Sequence, residues 1–195
     1  KKRKSFSLSL DLKSGHQDSR IKKYRKEIVK QSKRFNIEPS IAMAITETES
    51  SFNPKATSHI PAYGLMQLVP SSGGRDAYNY VYKEDKVLKK RYLYKPKNNI
   101  ELGCAYLAKI RYNYFKSIKD DEKAYICSVA AYNTGAGNVA RALTNETKLK
   151  PATKRANQLG SDELYKTLLK DLKHEETRNY LKKVWARKDN YSDIG

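Results

Sequence analysis

The chain has 195 residues, of which 38% are hydrophobic and 31% charged, and its 40 Lys and Arg against 21 Asp and Glu give a net charge of +19. This length suits one domain with a sizeable core, and no apolar run reaches the ~18 residues of a membrane-spanning helix. Two cysteines and three scattered histidines exclude a disulfide scaffold and a typical metal site, and no glycine-rich phosphate loop is present. We therefore predict no metal and no cofactor.

Positive charge is concentrated at the N-terminus. Residues 1–30 contain 11 Lys or Arg against 3 Asp or Glu, whereas residues 31–60 contain three of each kind. Such an excess indicates a polyanionic partner: nucleic acid, anionic lipid or an acidic wall polymer. A solvated, soluble surface is the plainer alternative, and charge alone does not choose among these.

The first 19 residues show no sustained hydrophobic period and are predicted to be a basic tail or linker, followed by one folded domain over residues 20–195. The first helix of that domain is predicted from apolar positions spaced three or four apart, namely Ile21, Tyr24, Ile28, Ser32 and Phe35. Asn36 ends it. Pro39 suits the first turn of a second helix, which runs to about Ser50.

The next part of the chain reads as loop and short helix. Prolines and Gly64 predict a loop over residues 51–69, and a short helix is expected to begin at Pro70 and run into the Tyr78–Tyr82 region. The basic, irregular stretch 83–98 is expected to form a small hairpin or an ordered loop.

The second half of the chain is helical throughout. A long helix is predicted over residues 100–118, and Asp120 and Asp121 suit the start of another that Gly135 stops. Shorter helices follow over 138–143, over 162–172 with Ser161 as its cap, and over 175–188. Seven or eight helices with almost no alternating pattern predict an all-α or α-dominated fold, with at most one small hairpin.

Cys104 and Cys127 are predicted to be free thiols. If the helices on either side of residue 120 pair antiparallel, the two cysteines are offset by about 13 Å along the helix axes. A disulfide needs Cα atoms within about 7 Å of each other.

Glu49 is the first candidate for chemistry. It follows Ile45 by one helical turn, at the edge of an apolar stripe where loss of water raises the pKa of a carboxyl group. A carboxyl that stays protonated near neutral pH can donate a proton to a leaving group. Glu47 lies about 200° around the helix and cannot share that face. This segment alone leaves open a surface glutamate near a helix end.

Several short motifs follow one another in a fixed order. Three stand out: Glu49-Ser50 followed by Phe52, Pro54, Ala56 and Ser58; Gly64-Leu65-Met66-Gln67; and Ala131-Tyr132-Asn133-Thr134-Gly135. Two more are Asn99-Ile100 with Gly103 and Tyr106-Leu107, and Glu176-Thr177-Arg178-Asn179-Tyr180. Together, over about residues 21–186, they resemble the lytic murein transglycosylases of glycoside hydrolase family 23. The resemblance implies a lysozyme-like fold of the soluble lytic transglycosylase and goose-type lysozyme kind.

The resemblance also implies a role for each matched residue. Glu49 would be the sole acid and base, and Ser58 would hydrogen-bond near the scissile sugar or its N-acetyl group. Substrate-binding roles would fall to Met66 and Gln67 on the cleft floor, to Tyr132 and Asn133 in the subsites, and to Tyr180 beside Glu49.

Plainer readings stay open for some of these residues. Met66 can be ordinary core, Asn133 a helix cap and Tyr180 an ordinary helix aromatic. The turn His59-Ile60-Pro61-Ala62, directly after Ser58, departs from the more polar or glycine-containing turn usual in the family.

The implied reaction needs one carboxyl group. Glu49 would protonate the glycosidic oxygen between N-acetylmuramic acid and N-acetylglucosamine, and would then take the proton of the C6 hydroxyl as a 1,6-anhydro ring closes. Most glycosidases use two carboxylates, and the resemblance gives no second acid in these motifs a catalytic role. Asp76, Glu84, Asp85 and Glu101 stay open as a second acid.

Two other functions compete with this one. A lysozyme-type hydrolase on the same scaffold is the first. The second, a basic helical nucleic-acid binder, would explain the charge but not the ordered motifs, so no specific nucleic acid is expected.

The resemblance further implies partners and a location. Peptidoglycan glycan strands would be the substrate, and an anionic membrane surface a further partner. The expected location is the periplasm, with an anchor to the outer membrane through a segment preceding Lys1.

Overall fold

The computed structural model describes residues 12–194, with side chains described from Ser19 onward. Ten α-helices make up most of this part of the chain: α1 Leu12–Arg34, α2 Pro39–Ser50, α3 Gly73–Tyr82, α4 Lys90–Leu93, α5 Pro96–Lys109, α6 Asp121–Thr134, α7 Ala136–Thr144, α8 Leu149–Gln158, α9 Ser161–Asp171 and α10 Glu175–Lys188. A π-helical segment, Ile110–Tyr114, continues α5, and a 3-10 segment, Asp189–Ile194, follows α10. Within residues 12–194, strand-like pairing is limited to two isolated bridges, Thr57 with Tyr63 and Tyr63 with Leu68. The prediction of an α-dominated fold is confirmed.

The first helix begins earlier than the hydrophobic period indicated. Helix α1 begins at Leu12, so the predicted tail over residues 1–19 overlaps the first two turns of the helix. Residues 1–11 lie outside the described residues, and the division into tail and domain stays a prediction.

Other boundaries show where sequence signals mislead. The hairpin considered for residues 83–98 is wrong, because this stretch consists of an ordered loop, the short helix α4 and the first three residues of α5. Ser161 is the first residue of α9 rather than its cap, and Gly160 occupies the cap position. Helix α8 was not predicted. At the start of α6 the expected cap is present, since the Asp120 carboxylate accepts a hydrogen bond from the Lys123 amide at 2.9 Å.

The core is organised around α6. Seven consecutive residues, 126–132, are buried, so this helix is surrounded on all sides. Helices α2 and α10 pack on each other, and α10 also packs on α6, while α5 is covered by α1 and α3. Cys104 and Cys127 are buried free thiols, as predicted. No helix in the described range is long and apolar enough to span a membrane.

Helix α2 places the acidic candidate at the edge of this core. Pro39 begins the helix, and residues 41–46 are all buried. The helix ends because Ser51 adopts a left-handed conformation with φ of 47°, its amide bonding to the Glu47 carbonyl at 2.9 Å. Glu49 therefore lies in the last turn of α2.

Candidate active site

The end of α2 is fastened to the loop that follows it. Ser50 Oγ donates to the Leu65 carbonyl at 2.7 Å, and its contact with the Thr46 carbonyl one turn earlier measures 3.1 Å. The loop over residues 51–72 therefore cannot swing away from the turn that carries Glu49 without losing a half-buried hydrogen bond.

Asn99 fixes the loop from the other side, and sequence reasoning missed its role. Its fully buried side chain accepts a hydrogen bond from the Met66 amide at 2.7 Å and donates to the Tyr63 and Leu93 carbonyls at 2.7 and 2.9 Å. Gly64 has φ of +83°, and a Cβ there would lie 2.4 Å from Asn99 Nδ2. The glycine of the second motif is required by this close approach.

The Glu49 carboxyl group is held in its protonated form. Desolvation by burial is the main cause that raises the pKa of Glu49 to about 8, and the negative charge of Glu176 adds to the increase. A contact with the Tyr180 hydroxyl acts in the opposite direction. Among the described residues, no Lys, Arg or His forms an ion pair with Glu49. At neutral pH the group is therefore a proton donor.

Two buried tyrosines stand beside this carboxyl group. Tyr132, on α6, donates its hydroxyl hydrogen bond to the Met66 carbonyl at 2.9 Å and packs edge-on against Tyr106 with ring centres 5.2 Å apart. Burial is the main cause that raises the pKa of Tyr132 well above its usual value, and the negative charge of Glu49 adds to the increase. The phenol thus stays neutral and ties α6 to the loop.

Tyr180 approaches from α10. Its hydroxyl is buried and makes no hydrogen bond of normal geometry to any described residue, yet it lies close enough to Glu49 to lower that group's pKa. Burial and the neighbouring carboxyl keep the Tyr180 pKa well above its usual value. Hydrogen bonds at catalytic groups are often poorly aligned until substrate binds. This geometry would allow the Tyr180 hydroxyl to donate a hydrogen bond to Glu49 when Glu49 is ionised.

The remaining predicted site residues hold the surrounding structure. Met66 is fully buried, and a Cβ added to Gly103 would lie 2.3 Å from its Sδ, so its side chain is core. Gln67 Nε2 donates to the Ala56 and Gly64 carbonyls at 3.1 and 2.8 Å. These contacts stabilise the loop beside Glu49.

Ser58 and Asn133 also have partners within the fold. Exposed Ser58 donates to the Ile60 carbonyl and accepts the Ala62 amide at 3.2 Å, which closes the turn over residues 58–62. Asn133 Oδ1 accepts from Thr177 Oγ1 at 2.8 Å and so joins the end of α6 to α10.

The carboxylates considered as a second acid are paired elsewhere. Asp76 pairs with Lys109 at 3.0 Å, Glu101 with Arg34 at 2.6 Å, and Glu84 with Lys86 at 3.4 Å, while Asp85 pairs with Arg75. The carboxylate that acts on Glu49 is Glu176, exposed in the first turn of α10. Sequence reasoning quoted Glu176 within a motif but gave it no role. No cluster of His, Cys, Asp and Glu able to hold a metal occurs in the described part of the chain.

Comparisons with known proteins identify relatives of this chain. The model of the transglycosylase SLT domain matches residues 26–154. The membrane-bound lytic murein transglycosylase C of Sodalis glossinidius is 36% identical over 189 residues, which cover 97% of this chain and 52% of that protein. Its namesake from Haemophilus ducreyi is 38% identical over 190 residues, 96% of this chain and 50% of that protein. The chain thus spans about half the length of the curated relatives it matches.

Solved structures give the same fold. An inactive glutamate-to-glutamine mutant of the lytic transglycosylase Slt from Pseudomonas aeruginosa superposes with a TM-score of 0.66 at 26% identity, covering 87% of this chain and 24% of that chain. The 70-kDa soluble lytic transglycosylase in complex with bulgecin A gives a TM-score of 0.64 at 26% identity, covering 88% and 24%. These shares place the likeness within one part of much longer proteins.

Proposed function

The chain belongs to the transglycosylase SLT domain family, and from this premise we propose that it is a lytic transglycosylase that cleaves peptidoglycan. The bond cleaved is the β-1,4 linkage between N-acetylmuramic acid and N-acetylglucosamine, and the product ends in 1,6-anhydro-N-acetylmuramic acid. The names of its relatives support the activity, and a lytic transglycosylase of similar fold binds bulgecin A.

One observation carries the proposal: a single carboxyl group, desolvated and without a cationic partner in the described residues, has its pKa raised to about 8 beside two buried tyrosines. Glu49 begins the reaction as the acid, giving its proton to the glycosidic oxygen. It then acts as the base and takes the proton of the C6 hydroxyl. The structural relative made inactive by a glutamate-to-glutamine change supports a reaction that depends on one glutamate.

A group that serves first as acid and then as base needs help in its charged state. The Tyr180 hydroxyl has no competing hydrogen bond among the described residues and is proposed to donate to Glu49 once the carboxylate forms. Ring closure is favoured over hydrolysis because the C6 hydroxyl is part of the reacting sugar, which gives it a high effective concentration.

The other matched residues are proposed to shape the cleft around this step. Exposed Ser58 contacts the sugar near the scissile bond, while Gln67 and Asn133 bind substrate from positions that their own hydrogen bonds fix. Met66 contributes through its backbone carbonyl, which positions the ring of Tyr132 in its subsite.

Hydrolysis on the same scaffold is the second candidate, and the position of Glu176 is the observation that favours it. Inverting glycosidases use a second carboxylate to activate water, and Glu176 is the acid whose charge reaches Glu49. Its side chain is exposed and forms no ion pair with the described residues, so nothing there holds it in place to activate a water molecule. This supports the lyase over the hydrolase.

We further propose a location in the bacterial cell envelope, on the periplasmic side, with an association with the outer membrane. The support is the name of the relatives, which are called membrane-bound. The net charge of +19 suits an anionic membrane surface as a second partner beside the glycan strands, and no specific nucleic acid is proposed.

Mass spectrometry of a peptidoglycan digest tests the reaction. We expect muropeptides that are one water, about 18 Da, lighter than lysozyme products and that resist borohydride reduction, since closing the ring consumes no water. The Glu49→Gln protein is the matched control and should release neither kind. Reducible ends as the main product would overturn the lyase in favour of the hydrolase.

A further inference from the structure

Helix α1 presents a row of lysines on the side opposite the core. Lys22, Lys26, Lys30 and Lys33, here called the lysine row, are all exposed and fall within about 80° of the helix surface over roughly 16 Å. On the other side of the helix, Tyr24, Ile28 and Ser32 are buried at 6% exposure or less. The helix is therefore apolar on one side and cationic on the other.

The positive charges of the lysine row are not neutralised by ion pairs with other described residues. None of its four lysines forms an ion pair with another described residue. Like charges one turn apart destabilise a helix, so this arrangement is unfavourable for folding alone. The nearby acid, Glu27, is half-buried and accepts a hydrogen bond from Gln31 at 2.8 Å.

A pocket beside the row extends the cationic surface. It lies between α1 and the start of α5 and has a volume of about 580 Å³. Four lysines and one acid line it: Lys23, Lys26 and Glu27 from α1, Lys95 directly before α5, and Lys97 in the first turn of α5. The buried side chains of Tyr24 and Ile100 also line the pocket. A pocket that is lined by four lysines and by apolar surface suits an amphiphile whose charged end is anionic.

We propose that the lysine row and the adjoining pocket form a docking surface for an anionic phospholipid bilayer, with the lysines contacting phosphoryl headgroups. A cluster of four or more Lys on one face of a helix is a pattern typical of binding to anionic lipid surfaces. The surface is built from α1 and the start of α5, and the residues proposed for catalysis lie on α2, α6, α10 and the loop after α2. Docking therefore does not involve the residues proposed for catalysis. It holds the domain against the membrane while the active site cleaves peptidoglycan.

Vesicle sedimentation with the whole chain tests this surface. We expect binding to vesicles of phosphatidylcholine with phosphatidylglycerol, and none to phosphatidylcholine alone. Replacing the four row residues with Gln, a good helix former, should weaken vesicle binding by about fivefold per lysine, more than a hundredfold in total. Lys95→Gln with Lys97→Gln should weaken it about twentyfold while leaving α1 untouched, which separates docking from any unfolding of that helix.

The matched control removes the same number of charges elsewhere. Lys116, Lys119, Lys150 and Lys154 are exposed and lie around α8 and the segment before α6. Changing these four to Gln should leave most of the vesicle binding. An equal loss in both variants would overturn the proposal, because net charge alone would then explain binding.

Two further outcomes would also overturn it. Competition by millimolar inorganic phosphate would indicate a site for a small anion instead of a bilayer. Tight binding of duplex DNA through the row, without vesicle binding, would indicate a nucleic-acid surface. The inference rests on the proposed envelope location, but the vesicle assay contains no peptidoglycan, so a failure of docking and a failure of the proposed reaction are seen separately.

Discussion

Glu47 and Glu49 stand two residues apart on α2 and meet opposite surroundings. Glu47 accepts a hydrogen bond from the Tyr191 hydroxyl at 2.9 Å and lies 3.6 Å from the Arg187 guanidinium. Glu49 faces the buried rings of Tyr132 and Tyr180, and its pKa is raised to about 8. The same residue type is thus a structural anion on one side of the helix and a neutral acid on the other.

The C-terminal part of the chain makes this difference. Tyr180 on α10 approaches Glu49, and Arg187 follows two helical turns later beside Glu47. A partner that supplies charge stabilises the carboxylate, whereas a partner that supplies only apolar surface and a phenol strips water from it. The different properties of Glu47 and Glu49 are therefore determined more by the residues of α10 that pack against them than by their positions on α2.

Among the substitutions that separate the two glutamates, Glu49→Gln should have the largest effect on activity. Glu49→Gln keeps the shape of the side chain but cannot exchange a proton, so we expect activity to fall by about 10²–10⁴-fold or more. Release of muropeptides from purified peptidoglycan measures it. Glu47→Gln is the control and should stay within a few-fold, because Gln still accepts the Tyr191 hydrogen bond. Equal losses in the two variants would move the acid away from Glu49.

The same pair of substitutions should act on stability with a pH dependence. The pKa of Glu49 is about 8 in the folded protein and near 4.5 when exposed, so its contribution to stability is present below pH 4.5 and is lost as the pH rises towards 8. Gln does not titrate. Glu49→Gln should therefore be more stable than the unchanged chain by an amount that grows from near zero at pH 4.5 to roughly 2–4 kcal/mol at pH 8.

Urea unfolding at several pH values between 4.5 and 8 measures this difference. Glu47→Gln should show no such gain, since it weakens the contact with Arg187. If the gain in stability of Glu49→Gln over the unchanged chain were no larger at pH 8 than at pH 4.5, the carboxyl group would not be desolvated. The two glutamates would then differ less than their surroundings indicate.

Much of this architecture follows from local sequence. Pro39 and the apolar run 41–45 predict α2 and its end, and Asp120 predicts the start of α6. These signals act within a few residues of each other. Glu49 was also found locally, from its position one turn after Ile45, and its role came from the order of the motifs.

The contacts that make the site depend on residues far apart in the chain. Asn99 binds the Met66 amide from 33 residues away, and no sequence pattern near either residue predicts this hydrogen bond. The unpredicted helix α8 buries Ala152 and Ala156, residues too small to give a strong apolar period. Patterns in a single sequence predict contacts between neighbouring residues of one helix, but they do not predict contacts with residues of another helix.

Removing the Tyr180 hydroxyl should have a smaller, diagnostic effect. The hydroxyl lowers the pKa of Glu49, so Tyr180→Phe should move the alkaline limit of activity to higher pH. It should also slow the reaction by roughly tenfold, since a hydrogen bond to a charged group is lost. Stability should change little, because the hydroxyl is buried without a partner among the described residues. Tyr191→Phe is the matched control: it removes the hydrogen bond to Glu47 and should leave the pH profile in place.

The charge of Glu176 should have the smallest effect, and its sign is fixed. Glu176 raises the pKa of Glu49 by repulsion, so Glu176→Gln should lower that pKa and move the alkaline limit of activity to lower pH. Because Glu176 is exposed, we expect a shift of only a few tenths of a pH unit, which added salt should reduce. Glu175→Gln, one residue earlier on the same exposed turn, should leave the profile unchanged. A Glu176→Gln protein that loses nearly all activity without a shift of its pH profile would make Glu176 the base that activates water, and the second glutamate at this site would then favour hydrolysis over ring closure.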